Sequence, residues 1–125
     1  MKKIILVDAW NAFFTEEGIF EDMYKMLEEF PNRKIILTGA NDEQMKKFGI
    51  DKSPYEVFTL KHNPEKTDPE YYIKMLKHFN LNVNDVIYVE HNEDAVKSAE
   101  SVGIKTFHYD KDKKDLESLK EFLKS

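Results

Sequence analysis

Five short apolar runs, separated by amphipathic segments, constrain this chain more than any other feature. They occupy residues 4–7, 35–37, 57–60, 86–89 and 104–107. Most are rich in β-branched or aromatic residues, and they are continuous rather than alternating. Strands buried on both faces read that way. The segments between them carry helical spacing. Phe20, Met23, Tyr24, Leu27 and Phe30 form an i, i+3, i+4, i+7 stripe closed by Pro31. Asn41 reads as the cap of a short helix bearing Met45 and Phe48, with Gly49 at its end. Asp68-Pro69 reads as an N-cap with proline in the first turn, ahead of a stripe of Tyr72, Met75, Leu76 and Phe79. Ala95, Val96, Ala99 and Val102 form the next stripe, ending at Gly103, and Leu116, Leu119, Phe122 and Leu123 form the last. Strand and helix thus alternate about five times. That order requires parallel strands with right-handed crossovers, so the expected fold is a three-layer α/β sandwich around a five-stranded parallel sheet.

The 125 residues, 41% of them hydrophobic, suffice for one domain spanning 1–125 and for a real core. Nineteen basic residues against 24 acidic ones give a net charge of -5, which argues against general nucleic-acid binding through a basic surface. No run reaches the ~18 apolar residues of a membrane span. The apolar run behind Lys2 and Lys3 stops at Asp8, too early for a signal-peptide core. With no cysteine, disulfides, thiolate metal sites and a cysteine nucleophile are excluded, and a cytoplasmic location is expected.

In parallel α/β sheets ligands bind beyond the carboxyl ends of the strands, so the residues there carry the functional question. The first run delivers Asp8, a nucleophile, a Mg²⁺ ligand or a plain turn residue. The second delivers Thr38-Gly39, where a hydroxyl can hold a phosphate oxygen or simply end a strand. The segment after the third contains Lys66, a counter-charge for phosphate or a solvated lysine. The fourth delivers Glu90, either a second oxygen ligand or an acid that complements a helix start. His91 follows it, an acid–base candidate or a cap residue, while His62 and His108 lack metal-site spacing. The stretch from Ala9 to Phe14 is unusually apolar for an exposed turn. Phe13, Phe14 and Phe20 either pack inside or form a subunit contact in a homo-oligomer.

Acid, hydroxyl, lysine and acid, each after a successive strand, are the parts of a phosphoryl-transfer site. In this order and spacing the chain resembles the haloacid dehalogenase-like (HAD) superfamily. The stretch from Lys66 through Asp68-Pro69 to Glu90 resembles the family's third-motif lysine, helix and fourth strand, and Glu90 through Gly103-Ile104 resembles the segment after the fourth motif. The resemblance implies that Asp8 is a nucleophile forming a covalent aspartyl intermediate. It implies that Thr38 and Lys66 hold the transferred group, and that Mg²⁺ sits between Asp8, the backbone carbonyl of Trp10 and Glu90. The implied activity is phosphatase-type hydrolysis of a phosphorylated substrate.

The chain also departs from the family pattern. The family's second Asp, two residues after the nucleophile, is Trp10 here, and the following Gly and Thr are Asn11 and Ala12. That Asp protonates the leaving group, help typically worth ~10²–10⁴-fold in rate, and Trp10 cannot supply it. Branches that cleave carbon–halogen or carbon–phosphorus bonds also lack it. The fourth motif's Asp-Asp and later Asn are Glu90, His91 and Ala95. The segments between the runs leave no room for a cap insertion. Two readings follow: a Mg²⁺-dependent hydrolase, or a catalytically inactive or weakened binding or regulatory domain on the same fold. A metal-dependent nuclease of the PIN or NYN type shares only the look of Val7 through Asn11.

Overall fold

The computed structural model describes residues 2–124. In chain order its elements are β1 (Ile4–Asp8), β2 (Phe14–Thr15), β3 (Gly18–Ile19), α1 (Glu21–Glu28), β4 (Lys34–Thr38), α2 (Asp42–Lys47), β5 (Glu56–Thr59), α3 (Pro69–Phe79), β6 (Val86–Glu90), α4 (Glu93–Val102), β7 (Lys105–His108) and α5 (Leu116–Lys124). Five strands form one parallel sheet in the order β5-β4-β1-β6-β7. The chain therefore starts at the sheet centre, builds outward through β4 and β5, and crosses back to add β6 and β7.

Two apolar layers explain why the strand runs are continuous. Ile5, Val7, Ile36, Ile87 and Val89 face one side and pack with Met23 and Leu27 of α1 and Leu119 and Leu123 of α5. Leu6, Ile35, Leu37, Val86 and Tyr88 face the other and pack with Tyr71, Tyr72 and Met75 of α3 and Ala99 of α4. Side chains of opposite parity are buried on opposite faces, so no polar residue interrupts the run.

The expected caps form. Asn41 Oδ1 accepts from the Gln44 amide at 3.0 Å, and Gln44 Oε1 accepts from the Asn41 amide at 3.0 Å. Asp68 accepts from the Glu70 amide with Pro69 in the first turn, and Gly103 closes α4 at φ +104°. Leu60 and Ile104 fall outside the strands.

A two-stranded hairpin, β2 with β3, stands where the sequence suggested only a loop. Gly18, which opens β3 directly after the turn, has φ +104°, a backbone region open to glycine. Phe13 and Phe14 are fully buried, and Phe20 packs partly buried against the same core. The apolar stretch after Asp8 is thus interior, and a subunit contact is not needed to cover it. No cap insertion separates the strands among the described residues. Among the described residues no helix is long and apolar enough to cross a membrane.

Candidate active site at the carboxyl edge of the sheet

The three central strands β4, β1 and β6 end on Thr38, Asp8 and Glu90. Parallel register aligns their carboxyl ends, and β1 lies at the switch point where the connections diverge. All three residues are buried, at 5%, 3% and 1% exposure.

Lys66 enters from the loop before α3 and donates to Asp8 Oδ1 at 2.6 Å and to Glu90 Oε1 at 3.0 Å. His91, next after β6, bonds Asp8 Oδ2 through its Nδ1, which also stands 3.4 Å from Glu90 Oε2. Glu90 is held further by the Tyr88 hydroxyl and by the Asn92 amide at 3.0 Å. Thr38 Oγ1 accepts from the Ala40 amide at 3.1 Å, and the Tyr71 hydroxyl donates to the Thr38 carbonyl at 2.8 Å. Asp8, Lys66 and Glu90 therefore meet in one cluster, and Thr38 lines the same cleft.

Charge and burial act against each other here. Burial and then the Glu90 charge push Asp8 up from 3.8 to about 6, although Lys66 and His91 pull it down. Glu90 goes the other way: burial alone would raise it, but Lys66 and the surrounding hydrogen bonds hold it well below the usual carboxylate range. Burial would lower Lys66, yet Asp8 and Glu90 hold it well above its ordinary value. Burial would also lower His91, but its bonds to Asp8 and Glu90 win and raise it from 6.5 to about 9. Two carboxylates thus face two cations.

A cleft of about 230 Å³ opens above this cluster, with Trp10, Phe48, His62 and Glu65 among its walls. It is smaller than the ~300–1,000 Å³ of common small-molecule pockets, so it suits a compact group such as phosphate. Trp10 stacks against Phe48 with ring centroids 4.3 Å apart, making an apolar wall where the family's usual second Asp would stand. Ala95 also lines the cleft.

Ligand atoms of Asp8, Glu90 and His91 lie within 4.8 Å of one another. Two buried carboxylates in that span fit one divalent cation, and their oxygens suit Mg²⁺. An ion entering between them must either displace the His91 contact or take its imidazole as a ligand, which favours transition ions more than Mg²⁺. Sequence reading left His91 between a cap and an acid–base role and counted Tyr88 only as part of a strand. The position of His91 directly after Glu90 was the available signal; nothing local marked the Tyr88 hydroxyl.

The model of haloacid dehalogenase-like hydrolases matches residues 5–109. This chain belongs to that family. Among solved structures, a HAD-family enzyme from Bacteroides thetaiotaomicron, an Asp-to-Ala mutant in complex with magnesium and inorganic phosphate, is similar with a TM-score of 0.67 and 13% identity, covering 87% of this chain and 94% of that one. An uncharacterised protein from Corynebacterium glutamicum gives 0.63 and 13%, covering 99% and 96%. L-2-haloacid dehalogenase from Xanthobacter autotrophicus, with chloropropionic acid covalently bound, gives 0.60 and 18%, over 73% of this HAD-like chain and 40% of that one. At these identities the likeness is one of fold. A search of curated proteins finds no match.

Proposed function

We propose that this HAD-like protein is a Mg²⁺-dependent phosphomonoester hydrolase that works through Asp8 as nucleophile. The observation that carries the reading is the contact of Lys66 with both Asp8 and Glu90 on the floor of a phosphate-sized cleft. Asp8, the Trp10 carbonyl and Glu90 would hold the ion, and bound Mg²⁺ supplies positive charge to the phosphoryl oxygens.

The chain's own groups do the rest. Asp8, at about 6, is ionised at neutral pH and offers a carboxylate oxygen to phosphorus. Lys66 spends two of its three N–H bonds on Asp8 and Glu90 and keeps the third for a phosphoryl oxygen. Thr38 Oγ1 accepts from Ala40, so its own proton is available to another oxygen. Water then cleaves the aspartyl phosphate. The cleft's small volume leaves the rest of the substrate outside, which suits recognition of phosphate above recognition of the alcohol.

The test is hydrolysis of p-nitrophenyl phosphate with and without Mg²⁺. Wild type is expected to turn over only with the ion, and Asp8→Asn to lose at least ~10³-fold, since it removes the attacking group. Full turnover by Asp8→Asn overturns the nucleophile. No turnover by wild type favours a non-catalytic binding domain, the reading that Trp10 and Ala95 support.

A further inference from the structure

Trp10 stands where the family's usual acid would be, and the His91 imidazole beside Asp8 is engaged by the two carboxylates; the wall of the cleft offers another ring. His62 and Lys66 share the loop between β5 and α3, and both line the cleft. They sit at different depths: the Lys66 side chain is 13% exposed at the floor, and that of His62 is 39% exposed at the mouth. A β-carbon at Gly39 would lie 3.7 Å from His62 Nδ1, so the ring stands over the backbone next to Thr38.

Each ring nitrogen has an oxygen partner. His62 Nδ1 lies 2.6 Å from Glu65 Oε1, a carboxylate oxygen that only accepts. His62 Nε2 lies 2.5 Å from Gln44 Oε1. That atom also takes the Asn41 amide proton in the cap of α2, so it is the amide's oxygen and it too accepts. Both ring nitrogens therefore face acceptor oxygens.

From this geometry we propose that His62 is the general acid and base of the reaction, with Glu65 as its positioning residue. The inference rests on the hydrolase reading above. In-line displacement by Asp8 from the floor sends the leaving oxygen toward the mouth, where His62 stands. Asp8 forms a bond to phosphorus as the bond from phosphorus to the ester oxygen breaks. The electron pair goes to that oxygen, which takes the Nε2 proton and departs as an alcohol. In the second step water attacks phosphorus, the bond to Asp8 breaks and returns its pair to the carboxylate, and the water's proton restores Nε2. The sum is ester plus water giving alcohol plus phosphate. Gln44 is the resting partner of Nε2 and yields it to the substrate.

The test compares leaving groups. Wild type, His62→Gln and Glu65→Gln are assayed with Mg²⁺ on phenyl phosphate, whose leaving oxygen needs a proton, and on p-nitrophenyl phosphate, whose leaving oxygen does not. His62→Gln is expected to lose ~100-fold or more in kcat/KM on the phenyl ester and only a few-fold on the nitrophenyl ester. Glu65→Gln should shift the same way by less. Equal losses on both esters, no loss on either, or a wild type that cleaves only the nitrophenyl ester overturns the assignment while the hydrolase reading stands. A wild type inactive on both removes the hydrolase reading and this assignment with it.

Discussion

At neutral pH the cleft floor holds two buried carboxylates, Asp8 and Glu90, against one lysine, and His91 supplies the second positive charge. Its bonds to Asp8 and Glu90 raise it from 6.5 to about 9. A raised value means that the folded state binds the proton more tightly than the unfolded chain. The resulting stabilisation is complete below pH 6.5 and disappears as pH rises through about 9. Asp8 is also raised, from 3.8 to about 6, so its contribution to stability falls between those values and is constant above them. The His91 effect is therefore read cleanly above pH 6. In chelator, His91→Gln should melt well below wild type near pH 6, and the gap should shrink as pH approaches 10. A gap independent of pH would show that the imidazole is not held as a cation by the acidic pair. None of this was readable from the residue order alone, because it depends on the distance between the ends of β1 and β6. What was readable was the placement of Asp8, Thr38 and Glu90, because a parallel sheet puts every strand's last residue on one edge, with Lys66 in the loop that follows β5 on that same edge.

The elements that announced themselves are those whose signals are local. The five core strands carry continuous apolar runs, and α2 and α3 carry the expected side-chain caps at Asn41 and Asp68. The β2–β3 hairpin was hidden because each strand has two residues, too few to show any period, and because its buried rings derive their environment from α1 and Tyr55. Gly103 shows a local signal with an energetic consequence. At φ +104° and ψ 10° it ends α4 in the left-handed region, where a side chain costs about 1–2 kcal/mol. A β-carbon there would meet Val83 only at 3.7 Å, an ordinary contact. Conformation, not crowding, thus sets the effect of Gly103→Ala. Urea unfolding should show a loss of about 1–2 kcal/mol with an unchanged slope. A loss near zero would mean that the end of α4 re-forms without the left-handed residue.

For the molecule as a whole, topology couples fold stability to the proposed ion. β1 lies at the sheet centre, so the two carboxylates come from adjacent strands that are far apart in the sequence, β1 and β6. They meet only once β1 and β6 have paired. An ion that binds both therefore binds the folded state alone and stabilises it by mass action, by about 2.7 kcal/mol at one hundred times its dissociation constant. For a domain of this size that is on the order of 10 °C in Tm. Mg²⁺ with inorganic phosphate should raise the melting temperature of wild type, because phosphate brings oxygen ligands and draws on the free N–H of Lys66. Glu90→Gln should lose most of that shift, since the amide keeps the size of the side chain and removes its charge. Mn²⁺ should give a shift at least as large if His91 joins the ligand set, because imidazole suits it better than Mg²⁺. Absence of any shift with either ion would mean that Lys66 and His91 already satisfy the acidic pair, and that the HAD-like sheet here holds a charge-balanced cluster without a metal.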